Sequence, residues 1–220
     1  MQRSSRQGAS CALQSFCLLS LAVQWCAGVP SCFYTTRPSG QVTYTCTDMR
    51  SSDQLLEHFE PNRTAALGKL RLVIENSALE RIPEGIFGGL GVSTLQFDNV
   101  VLTGEWSRAE WTPLGGLEDT LEKLVFSHNS TVPDNWAFFL SGMAQLSEIV
   151  FFDMSGLRLA SSSQDALPRT LRKLHLVRST IASADDYWLS SLVDLEALSI
   201  RHVNLTAFAR TVLPTTAAKL

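Results

Sequence analysis

The chain has 220 residues, 45% of them hydrophobic, and 18 Lys and Arg against 21 Asp and Glu give it a formal net charge of −3. That is enough apolar material for a sizeable core. The basic residues are scattered, without a stripe of interleaved aromatics, which argues against a nucleic-acid surface. No P-loop, G-x-G-x-x-G, H-E-x-x-H or G-x-S-x-G motif occurs, so nothing points to a nucleotide, zinc-peptidase or serine-hydrolase site.

The first 28 residues read as a secretory signal. Arg3 and Arg6 supply the positive start, residues 11–23 the short apolar stretch, and Cys26-Ala27-Gly28 the small-residue cleavage site. The apolar run is short for a membrane span, and no other segment could cross a bilayer. Of five cysteines, Cys11, Cys17 and Cys26 fall in the signal, which leaves Cys32 and Cys46. Two cysteines in an exported chain pair most simply with each other. They would close a hairpin whose turn is Pro38-Ser39-Gly40 and whose second strand is Val42-Thr43-Tyr44-Thr45. Such a hairpin would cap the open edge of whatever follows. Residues 29–66 thus form a cysteine cap and linker. In the linker, Ser51-Ser52-Asp53-Gln54 predicts a helix start, with Leu55, Leu56 and Phe59 as its apolar face.

From residue 67 the chain repeats. The spine L-x-x-L-x-L reads Leu67-Leu70-Leu72, Val92-Leu95-Phe97, Leu121-Leu124-Phe126, Leu146-Ile149-Phe151, Leu171-Leu174-Leu176 and Leu195-Leu198-Ile200. Anchored on the second residue of each, the spacings are 25, 29, 25, 25 and 24 residues. A seventh unit begins at Leu213 and is cut at Leu220, which predicts a longer natural protein. Residues 67–220 therefore hold six full repeats and one truncated one. Apolar residues two apart on a strand share a side, and a single such strand cannot bury its edge. Stacked units would form a parallel sheet over one continuous core. The return segments carry the remaining apolar residues, as in 79–90 with Ile82, Pro83, Phe87 and Leu90, and Trp106, Trp111, Trp136 and Trp188 would fill the layer behind the sheet.

The L-x-x-L-x-L spine and the L-x-x-I-P-x-x-x-F-x-x-L segment at 79–90 resemble extracellular leucine-rich repeats over residues 67–220. The style is also similar to secreted arthropod repeat proteins named after the non-catalytic subunit of Oplophorus-luciferin 2-monooxygenase. The resemblance implies an α/β repeat solenoid: a leucine-rich repeat horseshoe with a concave parallel β-sheet, an irregular or short-helical convex side and an N-terminal disulfide cap. It implies an exported protein. The name's association with a light-emitting enzyme has no counterpart in these residues, so only the fold and the secreted state carry over. The family places Asn three residues after L-x-L. Here that position holds Glu75, Val100, Asn129, Met154, Ser179 and Val203, so the asparagine ladder is expected to be largely missing.

Sequons at Asn62, Asn129 and Asn204 predict glycosylation, with Asn129 divided between a sugar and a buried ladder role. By register, the outward columns of the sheet read Arg71, Gln96, Val125, Val150, His175, Ser199, then Val73, Asp98, Ser127, Phe152, Val177, Arg201, then Ile74, Asn99, His128, Asp153, Arg178, His202. Val125, Val150, Phe152 and Val177 form an apolar centre inside a polar rim, the usual arrangement of a protein-binding site. Phe152 is the expected anchor, and Asp153 and Arg178 are expected to pair. His175 and His202 could form a pH-sensitive or metal-binding patch, but ordinary polar surface is the simpler reading. Nothing pairs a nucleophile with a base, so the chain is expected to be no enzyme and to need no cofactor or metal. The expected function is a secreted binding module that recognises a macromolecule, protein first, through the concave face. The alternatives are a non-catalytic stabilising subunit of an exported enzyme and the ectodomain of a membrane receptor.

Overall fold

The structure, a computed structural model, describes residues 28–59, 69–104, 113–132, 139–140, 142–159, 167–168, 170–184, 187–190, 192–204 and 213. The signal segment up to residue 27, Asn62, and Trp106, Trp111 and Trp136 lie outside these residues, as does the seventh unit beyond Leu213.

The described residues form a β-solenoid. Strands β1 (Ser31–Thr36) and β2 (Val42–Thr47) make an antiparallel hairpin, in which Cys32 lies opposite Cys46 and bonds to it. Then β3 (Leu70–Leu79), β4 (Val92–Leu102), β5 (Lys123–Ser127), β6 (Glu148–Phe152), β8 (Lys173–Val177) and β10 (Ala197–Arg201) stack in parallel. The sheet order is β1-β2-β3-β4-β5-β6-β8-β10, with β2 parallel to β3, so the hairpin covers the first repeat. Two short strands behind it, β7 (Leu157–Leu159) and β9 (Ile181–Ala184), pair separately. Among the described residues no helix is long and apolar enough to cross a membrane.

The parallel strands carry apolar residues at alternate positions. The inward positions are Leu72, Leu95, Leu124, Ile149, Leu174 and Leu198 in one row, with Ile74, Phe97, Phe126, Phe151, Leu176 and Ile200 in the next. All but the last strand's members are essentially fully buried. Phe97, Phe126 and Phe151 stack through the core, with ring centroids 5.4 and 5.9 Å apart. Trp188 is buried behind the sheet, as expected for a residue filling the layer between turns.

The α-helix α1 (Ser52–His58) lies at the junction of cap and repeats. Ser51 caps it by accepting from the Gln54 N–H. Leu55 and Phe59 are buried, but Leu56 points to solvent, so the apolar face is narrower than its composition suggests. Tyr44 stacks on Tyr34 at 4.3 Å, and Tyr44, Phe59 and Phe87 run edge to face from cap to first return. The Ser52 hydroxyl ties the helix to that return by donating to Arg81 O at 2.6 Å and accepting from the Arg81 N–H. Among the described residues, Phe139 is helical in the return after β5, while the returns at 80–90 and 113–120 are built of turns. Pro83 and glycines held at positive φ, such as Gly85, Gly89 and Gly116, interrupt any helical run there.

Two features of the repeat differ from the sequence reading. The first repeat is anchored on Leu72, not Leu70, because Leu72 pairs with Leu95. Leu70, Leu72 and Ile74 are three in-phase apolar residues, so the spine fits in either of two registers. A ladder also exists, built from serine. Ser77, Ser130 and Ser179 are buried. Their hydroxyls accept from the N–H of Met49, Val100 and Met154 in the preceding turn, at 3.1, 3.0 and 3.2 Å. They donate to the carbonyls of Glu75, Ser127 and Val177 in their own turn. The equivalent positions thus alternate Met49, Ser77, Val100, Ser130, Met154, Ser179, Val203, with one serine linking each pair of turns. Asn129 is displaced from this row and exposed, because β5 ends on two left-handed residues, His128 and Asn129, before Ser130 turns inward.

Replacing Ser130 by Ala would leave the buried Val100 N–H without its acceptor. The expected cost is about 1–3 kcal/mol in urea-induced unfolding, the penalty for an unsatisfied buried donor. Ser155→Ala, at an exposed position, should leave the midpoint unchanged.

Candidate binding face

The outward residues of the parallel strands form one continuous face. The row between the inward rows reads Val73, Gln96, Val125, Val150, His175 and Ser199. The row nearer the strand ends reads Glu75, Asp98, Ser127, Phe152, Val177 and Arg201, and the row at the strand starts reads Arg71, Thr94, Lys123, Glu148, Lys173 and Ala197. The first repeat is the correction: Val73 takes the place expected for Arg71, Glu75 that of Val73, and Ile74 lies wholly in the core.

Just beyond the paired core of each parallel strand, a residue adopts a left-handed conformation to turn the chain. These residues are Asp48, Asn76, Asn99, His128, Asp153, Arg178 and His202, with φ between 50° and 61°. In β3 and β4 the residue lies within the longer strand, and after β5 Asn129 follows His128 in the same conformation. Asn and Asp tolerate this region because their short side chains bond locally. His128, Arg178 and His202 occupy it without that advantage. The outcome is a polar rim along one side of the face.

Within the face, an open hollow of about 530 Å³ spans β3 to β6. Its floor is Val125, Val150 and Phe152, and Arg71, Thr94, Gln96, Asp98, Lys123 and His128 frame it. The framing groups hold one another in a chain. Arg71 donates to Gln96 Oε1. Gln96 Nε2 donates to Asp98 Oδ2 at 3.0 Å and to Ser127 Oγ at 3.2 Å. Asp98 Oδ1 lies 2.6 Å from His128 Nδ1. The His128 ring meets Phe152 edge to face at 5.6 Å, and the Arg178 guanidinium sits 5.6 Å above the same phenyl ring. Arg178 also reaches Asp153 at 3.8 Å, the pair expected from the register. Phe152 is therefore held between a histidine and an arginine while remaining half-buried. A side chain with fixed neighbours and free surface loses little entropy on binding, which suits an anchor.

Electrostatics divide the face. Along the strand starts, Lys123 pairs with Glu148 at 2.6 Å, and His175 approaches the same carboxylate at 3.7 Å. Arg71 is partly buried. Burial and the nearby Arg37 lower its pKa, and Asp98 only partly offsets them. Near the strand ends of the first repeats, burial raises the Glu75 pKa, helped by Asp98 and Asp48 and opposed by a hydrogen bond from Thr47. A carboxyl whose folded pKa is raised stabilises the fold below its unfolded pKa and loses that contribution as pH rises. Glu75→Gln is therefore expected to raise stability at pH 7. The gain should vanish below about pH 4, where the free acid is neutral in both states. Urea midpoints of the two proteins at the two pH values check this.

No family model, no curated protein and no solved structure matches the chain.

His175 and His202, raised by the sequence as a possible patch, are not register neighbours. Ser199 is the register neighbour of His175, while His202 continues the rim beyond Arg178. Among the described residues no group of three or more His, Cys, Asp or Glu is placed to hold a metal ion. Val177 and Arg201 extend the face beyond the hollow along β8 and β10. Of the sequons, Asn129 is exposed, and Asn204 is exposed with its Oδ1 accepting from the Ile181 N–H at 2.9 Å. The sequence reading passed over Thr94, Lys123 and Glu148. Their signal was the same alternation carried one step before each anchor.

Proposed function

We propose that this chain is a secreted, glycosylated leucine-rich repeat module that binds a protein through the open face of its sheet, without catalysis. The observation that carries the reading is Phe152, half-exposed on an apolar floor with Val125 and Val150 and fixed between His128 and Arg178. An aromatic held rigid at the centre of a polar-rimmed patch is the kind of group that dominates protein interfaces. The spine, the return segment at 79–90 and the Cys32–Cys46 cap support a leucine-rich repeat horseshoe with this sheet on its concave side. The disulfide, the signal-like start and the sequons at Asn62, Asn129 and Asn204 support export and glycosylation.

Pull-down from extracellular fluid with the wild type, Phe152→Ala and Val193→Ala tests it. Val193 is exposed and lies in a return segment away from the sheet. Phe152→Ala should weaken the captured partner by about 1 kcal/mol or more, while Val193→Ala leaves it unchanged. The reverse pattern would move the binding site to the other face.

A further inference from the structure

The hollow has two unlike ends, and this difference points to the chemistry of its occupant. At the cap end stands Arg71. One of its terminal nitrogens is engaged by Gln96, and its Nε is buried with no hydrogen-bond partner. No carboxylate lies within ion-pair distance of Arg71 among the described residues. Its neighbour Arg37 adds like charge, so the cation is poorly compensated where it stands. Asp98, the nearest acidic residue of the hollow, is already committed to His128 and Gln96. At the other end lie the apolar floor and Phe152. The buried Nε is out of a ligand's reach, but Arg71 lines the hollow, and its terminal N–H groups not used by Gln96 favour a carboxylate, whose two oxygens match the planar guanidinium.

We propose that the hollow takes an extended segment of a protein partner, with an acidic side chain on Arg71 and an apolar or aromatic side chain on Val150 and Phe152. Arg71 stands on β3 and Phe152 on β6, three strand spacings away. At roughly 4.8 Å per spacing they are about 14 Å apart across the sheet. Val150 and Phe152 also lie two and four residues further along the strand than Arg71's row. At roughly 3.3 Å per residue the two ends are therefore about 16–20 Å apart, and an extended peptide covers that in about five or six residues. The segment crosses the strands diagonally, with its acidic residue about five or six positions from its apolar one. This specificity rests on the face proposed above being the binding face.

The test is selection of a random twelve-residue peptide phage library on the secreted full chain, with the selected peptides then measured by fluorescence polarisation against variants. The expected result is enrichment of Asp or Glu about five or six residues from an aromatic or aliphatic residue. Binding of those peptides should fall tenfold or more with Arg71→Met and with Phe152→Ala, and by less with Arg71→Lys, which keeps the charge but not the fork. It should also weaken as salt rises. Thermal melts of each variant separate lost binding from lost fold. Peptides that need Phe152 but carry no acidic residue and ignore Arg71→Met would overturn this inference and leave the binding face standing. A library that yields no Phe152-dependent peptide would overturn both.

Discussion

Phe126→Ala is expected to lower the unfolding free energy by about 3–5 kcal/mol, the range for deleting a fully buried aromatic. The Phe126 ring is fully buried, stacked between Phe97 and Phe151 and touched by Phe139 at 6.4 Å. Three successive turns share this stack. Its loss removes contacts on both sides at once, and in a solenoid those neighbour contacts are the main source of stability. The effect should therefore exceed that of Leu198→Ala, whose side chain is only partly buried on the last described strand. Urea unfolding followed by tryptophan fluorescence measures both. A loss below about 1 kcal/mol at Phe126 would mean that the stack is not the centre of the core.

The second large effect is expected at the cap. Cys32 and Cys46 close a loop with a sequence separation of 14, for which the chain-entropy model gives about 3 kcal/mol. The double change Cys32→Ser, Cys46→Ser should lower stability by about that amount. It should also loosen the edge of the sheet first, because β1 and β2 cover β3. Hydrogen exchange at the β3 amides should rise before exchange at the β5 amides does. Equal midpoints with and without a reductant would contradict this role for the bridge.

The stacking of the turns was legible in the sequence because each strand carries its apolar residues at alternate positions and the units return at nearly constant spacing. The hairpin was legible because two cysteines, a Pro-Ser-Gly turn and a β-branched run coincide. The first register was not, since Leu70, Leu72 and Ile74 satisfy two alignments equally. What decides between them is pairing with Leu95, a long-range contact. The ladder was missed because asparagine was sought at a fixed offset. A serine hydroxyl makes the same pair of bonds, one accepted and one donated, and in β5 it stands one residue later. The outward columns were largely readable beyond the first repeat. The hydrogen-bonded chain from Arg71 through Gln96 and Asp98 to His128 was not. It depends on rotamers, and it links residues from three different turns. The return segments carried no strand signal, so the small pairing of β7 with β9 had none to find.

The most direct test of the central claim is site-specific photocrosslinking. Benzoylphenylalanine in place of Phe152, or of Val193 in a return segment, is placed in the secreted chain, which is then exposed to extracellular fluid and irradiated. The face reading predicts a discrete crosslinked protein from position 152, competed by unlabelled wild type, and none from position 193. Crosslinking from position 193 alone would contradict it.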